Sequence, residues 1–203
     1  MNYTGERIIP KLMKPHNGLL LEHIFRYEFA KDFTGERVLD IACGSGYGSE
    51  VLLKNNNSIK EIVGIDISNN SIEYARSNYN FPETSYYVDD CLNPNLSNIY
   101  GTFDTIISFE TIEHFEGDEP FVKNLFNLLK PDGTLIISTP FGIGKFKPCS
   151  CPFHVYQYKE EEFINVLSPF KNITMYHQTS GAIEIPKADK KYYLMVVVCK
   201  KII

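Results

Sequence analysis

The stretch VLDIACGSGYG, Val38 to Gly48, decides the fold. An apolar run reaches an acidic residue, Asp40, and three glycines follow at alternate positions. The pattern is typical of a buried strand, a tight turn and a helix that begins near Tyr47. A turn of this kind lets the backbone approach a ligand closely at the first strand-to-helix crossover of an α/β sheet.

The rest of the chain alternates short apolar runs with amphipathic stretches. This alternation predicts βαβ units and a parallel sheet. Helical spacing of apolar residues predicts a further helix over 17–33, which we expect to lie over the carboxyl edge of the sheet. The predicted strands lie at 37–42, 61–67, 85–88, 103–109, 133–140, 172–177 and 192–200, and the predicted crossover helices at 47–55, 69–78, 120–130 and 159–167.

Length and composition predict one globular domain. The 203 residues are 43% hydrophobic and 13% aromatic, enough to bury a full core. We expect a single domain over 1–203, with an N-terminal arm or lid over 1–35 and a core over 36–203. The five cysteines are scattered and odd in number, so we interpret them as reduced thiols.

The charge balance limits the partners. A formal net charge of -5 argues against a nucleic-acid partner, since binding phosphates needs a surplus of Lys and Arg. The sequence shows neither the apolar core of a signal peptide nor a membrane-spanning run. We therefore expect a cytoplasmic protein that acts on a small-molecule acceptor without a membrane, as a monomer or homodimer.

Two ligands compete for the glycine turn. A dinucleotide fingerprint, G-x-G-x-x-G, needs a third glycine where Ser49 stands, which disfavours a nicotinamide enzyme. An acidic residue on the strand before the turn, Asp40, suits a ligand with a cationic end. S-adenosylmethionine has an ammonium group there and carries no phosphate.

At these residues the sequence resembles the class I S-adenosylmethionine-dependent methyltransferases, from about 38 to 199. Their D-x-G-x-G-x-G motif stands here as Asp40, Ala42, Gly44 and Gly46. We expect alanine to fit at the first glycine position because φ there stays negative. The resemblance implies an α/β, Rossmann-like class I methyltransferase fold with a mostly parallel seven-stranded sheet, an antiparallel last strand and an N-terminal lid helix.

The resemblance also implies acidic partners for the cofactor. Asp66 ends the second strand, 20 residues beyond Gly46, and would bind both ribose hydroxyls. In VDDCL, Asp90 rather than Asp89 would bind the adenine amino group, with Cys91 at the ring.

Acidic and histidine side chains that follow the fourth predicted strand are candidates for the catalytic site. If a helix begins after Phe109, then Glu110, Glu113 and His114 share one face, and His154 is expected at the same mouth. This arrangement resembles the metal-dependent small-RNA 2′-O-methyltransferases and the ubiquinone-biosynthesis O-methyltransferases, which implies a Mg²⁺ or Mn²⁺ site formed by these four residues. Two alternatives stay open: His114 or His154 is a general base without metal, or the residues only cap and pair locally.

The N-terminal arm resembles small bacterial methyltransferases of sugar and secondary metabolism. Tyr3, Arg7, His23, Arg26 and Tyr27 are candidates to reach the methionine carboxylate or the acceptor, and Arg7 suits a carboxylate best. The predicted cofactor-binding residues are Asp40, Ala42, Gly44, Gly46, Asp66, Ile67, Asp90, Cys91, Glu110 and Arg7, and the predicted catalytic residues are Glu113, His114 and His154.

We therefore predict O-methylation of a small hydroxylated acceptor, a sugar or nucleotide sugar in particular, with S-adenosylhomocysteine as the product. The alternatives are N-methylation of an amino sugar or other small amine, and a non-catalytic binder of S-adenosylmethionine or S-adenosylhomocysteine.

Overall fold

The computed structural model describes residues 7–149 and 151–202. Within these residues eight strands form one sheet, in the spatial order β3-β2-β1-β4-β5-β8-β6-β7. The strands are β1 (Arg37–Ile41), β2 (Glu61–Asp66), β3 (Thr84–Val88), β4 (Phe103–Phe109), β5 (Leu129–Pro140), β6 (Lys171–Thr179), β7 (Ala182–Glu184) and β8 (Leu194–Lys200).

Strand order places a switch point beside β1. The chain runs outward from β1 through β2 to β3 and then returns to β4 on the other side of β1, and all these neighbours are parallel. Asp40 is the register partner of both Gly64 on β2 and Ile107 on β4. In open α/β sheets the crevice at such a point, at the carboxyl ends of the strands, binds the ligand.

The far side of the sheet is antiparallel. β8 pairs antiparallel with both β5 and β6, so the last strand lies between them. The predicted Rossmann-like fold with an antiparallel last strand is confirmed. The short hairpin strand β7 adds an eighth strand to the predicted seven, because three residues are too few for a recognisable apolar run and their pairing with β6 alone defines them.

Six α-helices lie in the described part of the chain: α1 (Gly18–Ala30), α2 (Tyr47–Asn55), α3 (Asn69–Asn78), α4 (Leu96–Tyr100), α5 (Asp118–Leu128) and α6 (Glu160–Val166). The bounds of α2 and α3 coincide with the prediction. Gly46 precedes α2 with φ 81°, and the Ser68 hydroxyl accepts from the backbone of Ser71 at the start of α3. None of the helices in these described residues is long and apolar enough to cross a membrane.

Residues 131–133, between the predicted helix and the predicted strand, form a bulge within β5. Pairing with β4 passes from Phe103 opposite Leu129 to Thr105 opposite Thr134, and Asp132 has φ 60°. β5 therefore begins four residues before the predicted strand. Backbone pairing across the bulge is decided by β4 and was not visible in the local sequence.

Helices cover both faces of the sheet. Leu39 on β1 faces the layer that includes α5 and α6, whereas its neighbour Val38 faces the layer of α1, α2 and α3. α1 is part of that second layer and not only a lid, since Tyr27 and Ala30 are buried in it. The same helix reaches the carboxyl edge through Leu19.

Candidate active site

A cavity of about 740 Å³ opens at the carboxyl ends of β1, β2 and β4. Its volume falls in the range of small-molecule sites. The predicted site residues that line it are Arg7, Ala42, Gly44, Asp66, Ile67, Asp90, Cys91, Glu110, His114 and His154. Tyr3 lies outside the described residues.

Four predicted site residues are not in the cavity wall, and one of them, Arg26, is buried and donates to Oε1 of Gln178 at 2.7 Å. Asp40 is 3% exposed and lies behind Tyr27, whose hydroxyl donates to both of its carboxylate oxygens, at 3.0 and 3.2 Å. Gly46 packs on α3, where an added Cβ would lie 2.6 Å from the Cβ of Ala75. Glu113 is buried beneath the wall. Gly46 therefore has a packing role, and Asp40 reaches the cavity only through its neighbours.

Asp66 joins the glycine turn to the loop after β2. Its two oxygens accept from the backbone of Gly44 at 2.9 Å and of Ser68 at 2.8 Å. The carboxylate is thereby fixed at the cavity wall. Each carboxylate oxygen has a second lone pair, so Asp66 can still accept from a pair of ligand hydroxyls.

The loop after β3 distinguishes its two acidic residues. Asp89 accepts three hydrogen bonds, from the backbone of Asp90, from Asn93 and from the Tyr100 hydroxyl. Asp90 is exposed; it accepts from the backbone of Leu92 through one oxygen and also interacts with the Cys91 thiol. This difference favours Asp90 as the ligand-facing acid.

Ala42 has a left-handed backbone, with φ 62°. The expectation that φ stays negative at this position is wrong. The turn requires the left-handed region here, and alanine accepts a strain that glycine would avoid.

The segment after β4 is not the predicted helix. Glu110 has φ 50°, and a short 3-10 turn, Ile112–His114, follows. The Ser138 hydroxyl donates to Oε1 of Glu110 at 3.0 Å, so β5 holds this side chain. Glu110, Glu113 and His114 therefore do not share one helical face, because the chain turns sharply at Glu110.

Glu113, His114 and His154 form a compact cluster whose candidate ligand atoms lie within 4.8 Å of one another. Glu110 is outside this group, which corrects the predicted four-residue metal set. The rings of His114 and His154 meet edge to face, with centroids 5.0 Å apart. Nδ1 of His114 lies 3.0 Å from the carbonyl oxygen of Phe153; since a carbonyl only accepts, Nδ1 carries a hydrogen, and Nε2 is the ring nitrogen that can bind a metal ion.

Glu113 is the buried member of this cluster, and its backbone holds the loop that carries His154. Its backbone carbonyl accepts from Val155 at 2.8 Å and from Tyr156 at 3.0 Å, which ties the loop of His154 to the end of β4. One carboxylate oxygen accepts from Thr139 at 3.0 Å, while Oε1 is buried without a hydrogen-bond partner. Burial, with the charge of Glu110, holds the pKa of Glu113 well above its usual range.

Sequence reasoning gave no definite role to the side of α1 that faces the cavity. Leu19, His23 and Tyr27 stand four residues apart and all line the cavity, a helical spacing that the sequence does show. Nδ1 of His23 lies 3.1 Å from the Tyr47 hydroxyl. Burial, with the nearby charge of Arg26, lowers the pKa of His23 well below its ordinary value, so the imidazole is neutral.

The comparison with known families agrees with this geometry. A family model described as a methyltransferase domain matches residues 32–195. The chain belongs to this methyltransferase family. Binding of S-adenosylmethionine is expected of the family.

Individual curated relatives share about a third of their aligned residues with this chain, or fewer. A probable S-adenosylmethionine-dependent methyltransferase of Mycolicibacterium smegmatis is 27% identical over 171 residues, which are 81% of this chain and 62% of that protein. The mitochondrial ubiquinone biosynthesis O-methyltransferase of Schizosaccharomyces pombe is 32% identical over 116 residues, 53% of this chain and 39% of that protein. The chain thus spans less than two thirds of the length of these curated relatives.

Among solved structures, the methyltransferase domain of bacterial CtHen1-C has the same fold, with a TM-score of 0.68 at 20% identity. The match covers 90% of this chain and 98% of that domain.

Proposed function

We propose that this chain binds S-adenosylmethionine and transfers its methyl group to a hydroxyl of a small acceptor, such as a sugar or nucleotide sugar. The residues that line the cavity support binding of the donor. Asp66 supplies acceptor atoms for the ribose, and Ile67 presents an apolar side chain, 71% exposed, that an adenine ring would cover. Asp90 is exposed in the cavity wall, and its carboxylate has lone pairs that can accept from the adenine amino group.

One observation supports a hydroxyl as the methyl acceptor, because it indicates a cation site next to the cavity. Oε1 of Glu113 is buried without a hydrogen-bond partner, next to the imidazoles of His114 and His154. A buried carboxylate oxygen without a partner is costly, and a cation would offset that cost. Two imidazoles and a carboxylate are ligands that Mn²⁺ and related divalent ions accept in proteins.

Glu113, His114 and His154 would therefore hold a divalent ion, Mg²⁺ or Mn²⁺. Such an ion supplies Lewis-acid chemistry, which lowers the pKa of an acceptor hydroxyl. The protein contributes rigid orientation. The hydrogen bond from His114 to the Phe153 carbonyl fixes the tautomer and the ring direction, as partners of metal-binding histidines commonly do.

The side chains around the cluster position the acceptor. Phe115 and Phe153 line the cavity next to His114 and His154 and reduce the space for water. Because the sulfonium is already an activated donor, alignment of the hydroxyl with the methyl group supplies much of the rate. His23, a neutral imidazole in the cavity wall, is available to hydrogen-bond the acceptor or the cofactor.

The test is calorimetric titration of Mn²⁺, and then Mg²⁺, into protein saturated with S-adenosylhomocysteine. We expect saturable binding at one site, lost in His154→Ala. His16→Ala is the matched control, because His16 is exposed and lies outside the cavity wall. S-adenosylhomocysteine affinity measured in both variants shows whether the cofactor site remains intact.

The same protein is then assayed for transfer of a labelled methyl group to nucleotide sugars, with matched amino sugars alongside. Methylation of hydroxyls that requires the metal and His154 supports the proposal. Absence of metal binding, together with methylation of amines alone, would replace it with the N-methyltransferase alternative.

A further inference from the structure

Tyr27 stands between the cavity and Asp40. The tyrosine lines the cavity, whereas Asp40 is 3% exposed and does not. The Tyr27 hydroxyl donates to both oxygens of the Asp40 carboxylate, at 3.0 and 3.2 Å. A ligand at this end of the cavity therefore meets Tyr27 before it meets the acid.

The sequence provides a specific seat for this tyrosine. A Cβ at Gly48 would lie 2.2 Å from the Tyr27 ring, so only glycine leaves room for it. The ring is held edge to face by Tyr47 at 5.3 Å and Phe109 at 5.1 Å. Gly48 is the second residue of α2, and the close approach of Tyr27 gives a reason for glycine at this position.

The position suits a cation. The one hydroxyl hydrogen of Tyr27 is directed to Asp40, which leaves the lone pairs of the phenolic oxygen free. A hydroxyl that donates to a carboxylate is polarised and becomes a stronger acceptor. We infer that the Tyr27 oxygen, backed by Asp40, binds the α-ammonium group of the cofactor. The inference rests on the proposed function in that S-adenosylmethionine is the cofactor.

This assignment differs from direct binding of the ammonium by Asp40, and the two predict opposite results. If Asp40 binds the ammonium itself, removal of the Tyr27 hydroxyl exposes the acid and leaves affinity unchanged or increased. If Tyr27 binds it, the same change removes the contact and also leaves Asp40 buried without its donor.

The experiment compares two ligands by calorimetry in Tyr27→Phe. S-adenosylhomocysteine carries the ammonium, and 5′-methylthioadenosine keeps the adenosine and sulfur without the amino acid. We expect the affinity for S-adenosylhomocysteine to fall at least about tenfold, as for loss of a hydrogen bond to a charged group, while that for 5′-methylthioadenosine stays within about twofold. Tyr193→Phe, at an exposed tyrosine away from the cavity, is the control.

Unchanged or tighter binding of S-adenosylhomocysteine would overturn the assignment, and so would an equal loss for both ligands, which would mark Tyr27 as structural. If neither ligand bound the unaltered protein, the proposed function itself would fail. Two further variants extend the test. Gly48→Ala should reproduce the selective loss by displacing the ring, and in Asp40→Asn the Tyr27→Phe change should cost less than in the unaltered protein.

Discussion

The affinity for S-adenosylhomocysteine should depend on pH through Asp40. Burial raises the pKa of Asp40 to about 7, against the lowering effect of the Tyr27 hydroxyl, and the charge of Asp66 raises it further. A ligand ammonium favours the ionised carboxylate, whether it contacts Asp40 or the tyrosine in front of it. Binding therefore competes with protonation of Asp40, and affinity should fall as pH decreases through 7.

The magnitude follows from that pKa. If only the ionised form binds the ammonium, affinity falls about tenfold, or about 1.4 kcal/mol, between about pH 8 and pH 6. At pH 7 about half of the protein carries the proton, so binding should release about half a proton. Calorimetry in two buffers with different ionisation enthalpies measures both quantities.

Two controls test whether the pH dependence of the affinity arises from the Asp40 carboxylate. The affinity for 5′-methylthioadenosine, which has no ammonium, should stay level over the same pH range. In Asp40→Asn the dependence for S-adenosylhomocysteine should disappear, although its affinity is lower throughout. A slope that persists in Asp40→Asn, or that both ligands share in the unaltered protein, would refute the reasoning.

Three further predictions concern the glycine turn and the strand after it. Asp66→Ala should lower S-adenosylhomocysteine affinity by about 1.5 to 3 kcal/mol through loss of the charged ribose partner, and unchanged affinity in calorimetry would contradict the assignment. Gly46→Ala should lower the free energy of unfolding by about 2 to 4 kcal/mol, because its Cβ would lie 2.6 Å from that of Ala75 at φ 81°; an unshifted urea midpoint would be the contrary result. Ala42→Gly should raise the free energy of unfolding by about 0.5 to 1 kcal/mol, since it removes left-handed strain at φ 62°, and a loss in urea unfolding would show that the strain is small.

Local signals determined the parts of the fold that the sequence predicts well. α2 begins after a left-handed glycine and α3 after the side-chain cap of Ser68, so their bounds depend on neighbouring residues. The bulge of β5 and the strand β7 depend on pairing with distant strands, β4 and β6. No local pattern contains that information.

In the candidate site, too, local motifs predict some residue positions, whereas others depend on contacts with distant parts of the chain. Asp66 ends β2, Asp90 lies in the loop after β3, and both line the cavity as the motif spacing predicts. The position of Asp40 could not be predicted, because it depends on Tyr27, which α1 brings over it from another layer. Glu113 was predicted as a site residue, but its buried, unpartnered oxygen follows from the turn at Glu110 and not from helical spacing.

Two residues at the carboxyl edge of the sheet have a strained backbone. Ala42 and Glu110, at φ 62° and 50°, follow β1 and β4, the two strands that flank the switch point. Left-handed backbone at residues other than glycine is costly, and it persists where the surrounding structure fixes it. Ser138 fixes Glu110 by accepting from its backbone and donating to its carboxylate. The sharp turn then places Glu113 and His114 below and beside the cavity, where a helix would have carried all three side chains to one side. The left-handed backbone at Glu110 therefore produces the sharp turn, and this turn keeps Glu110 out of the cluster of Glu113, His114 and His154.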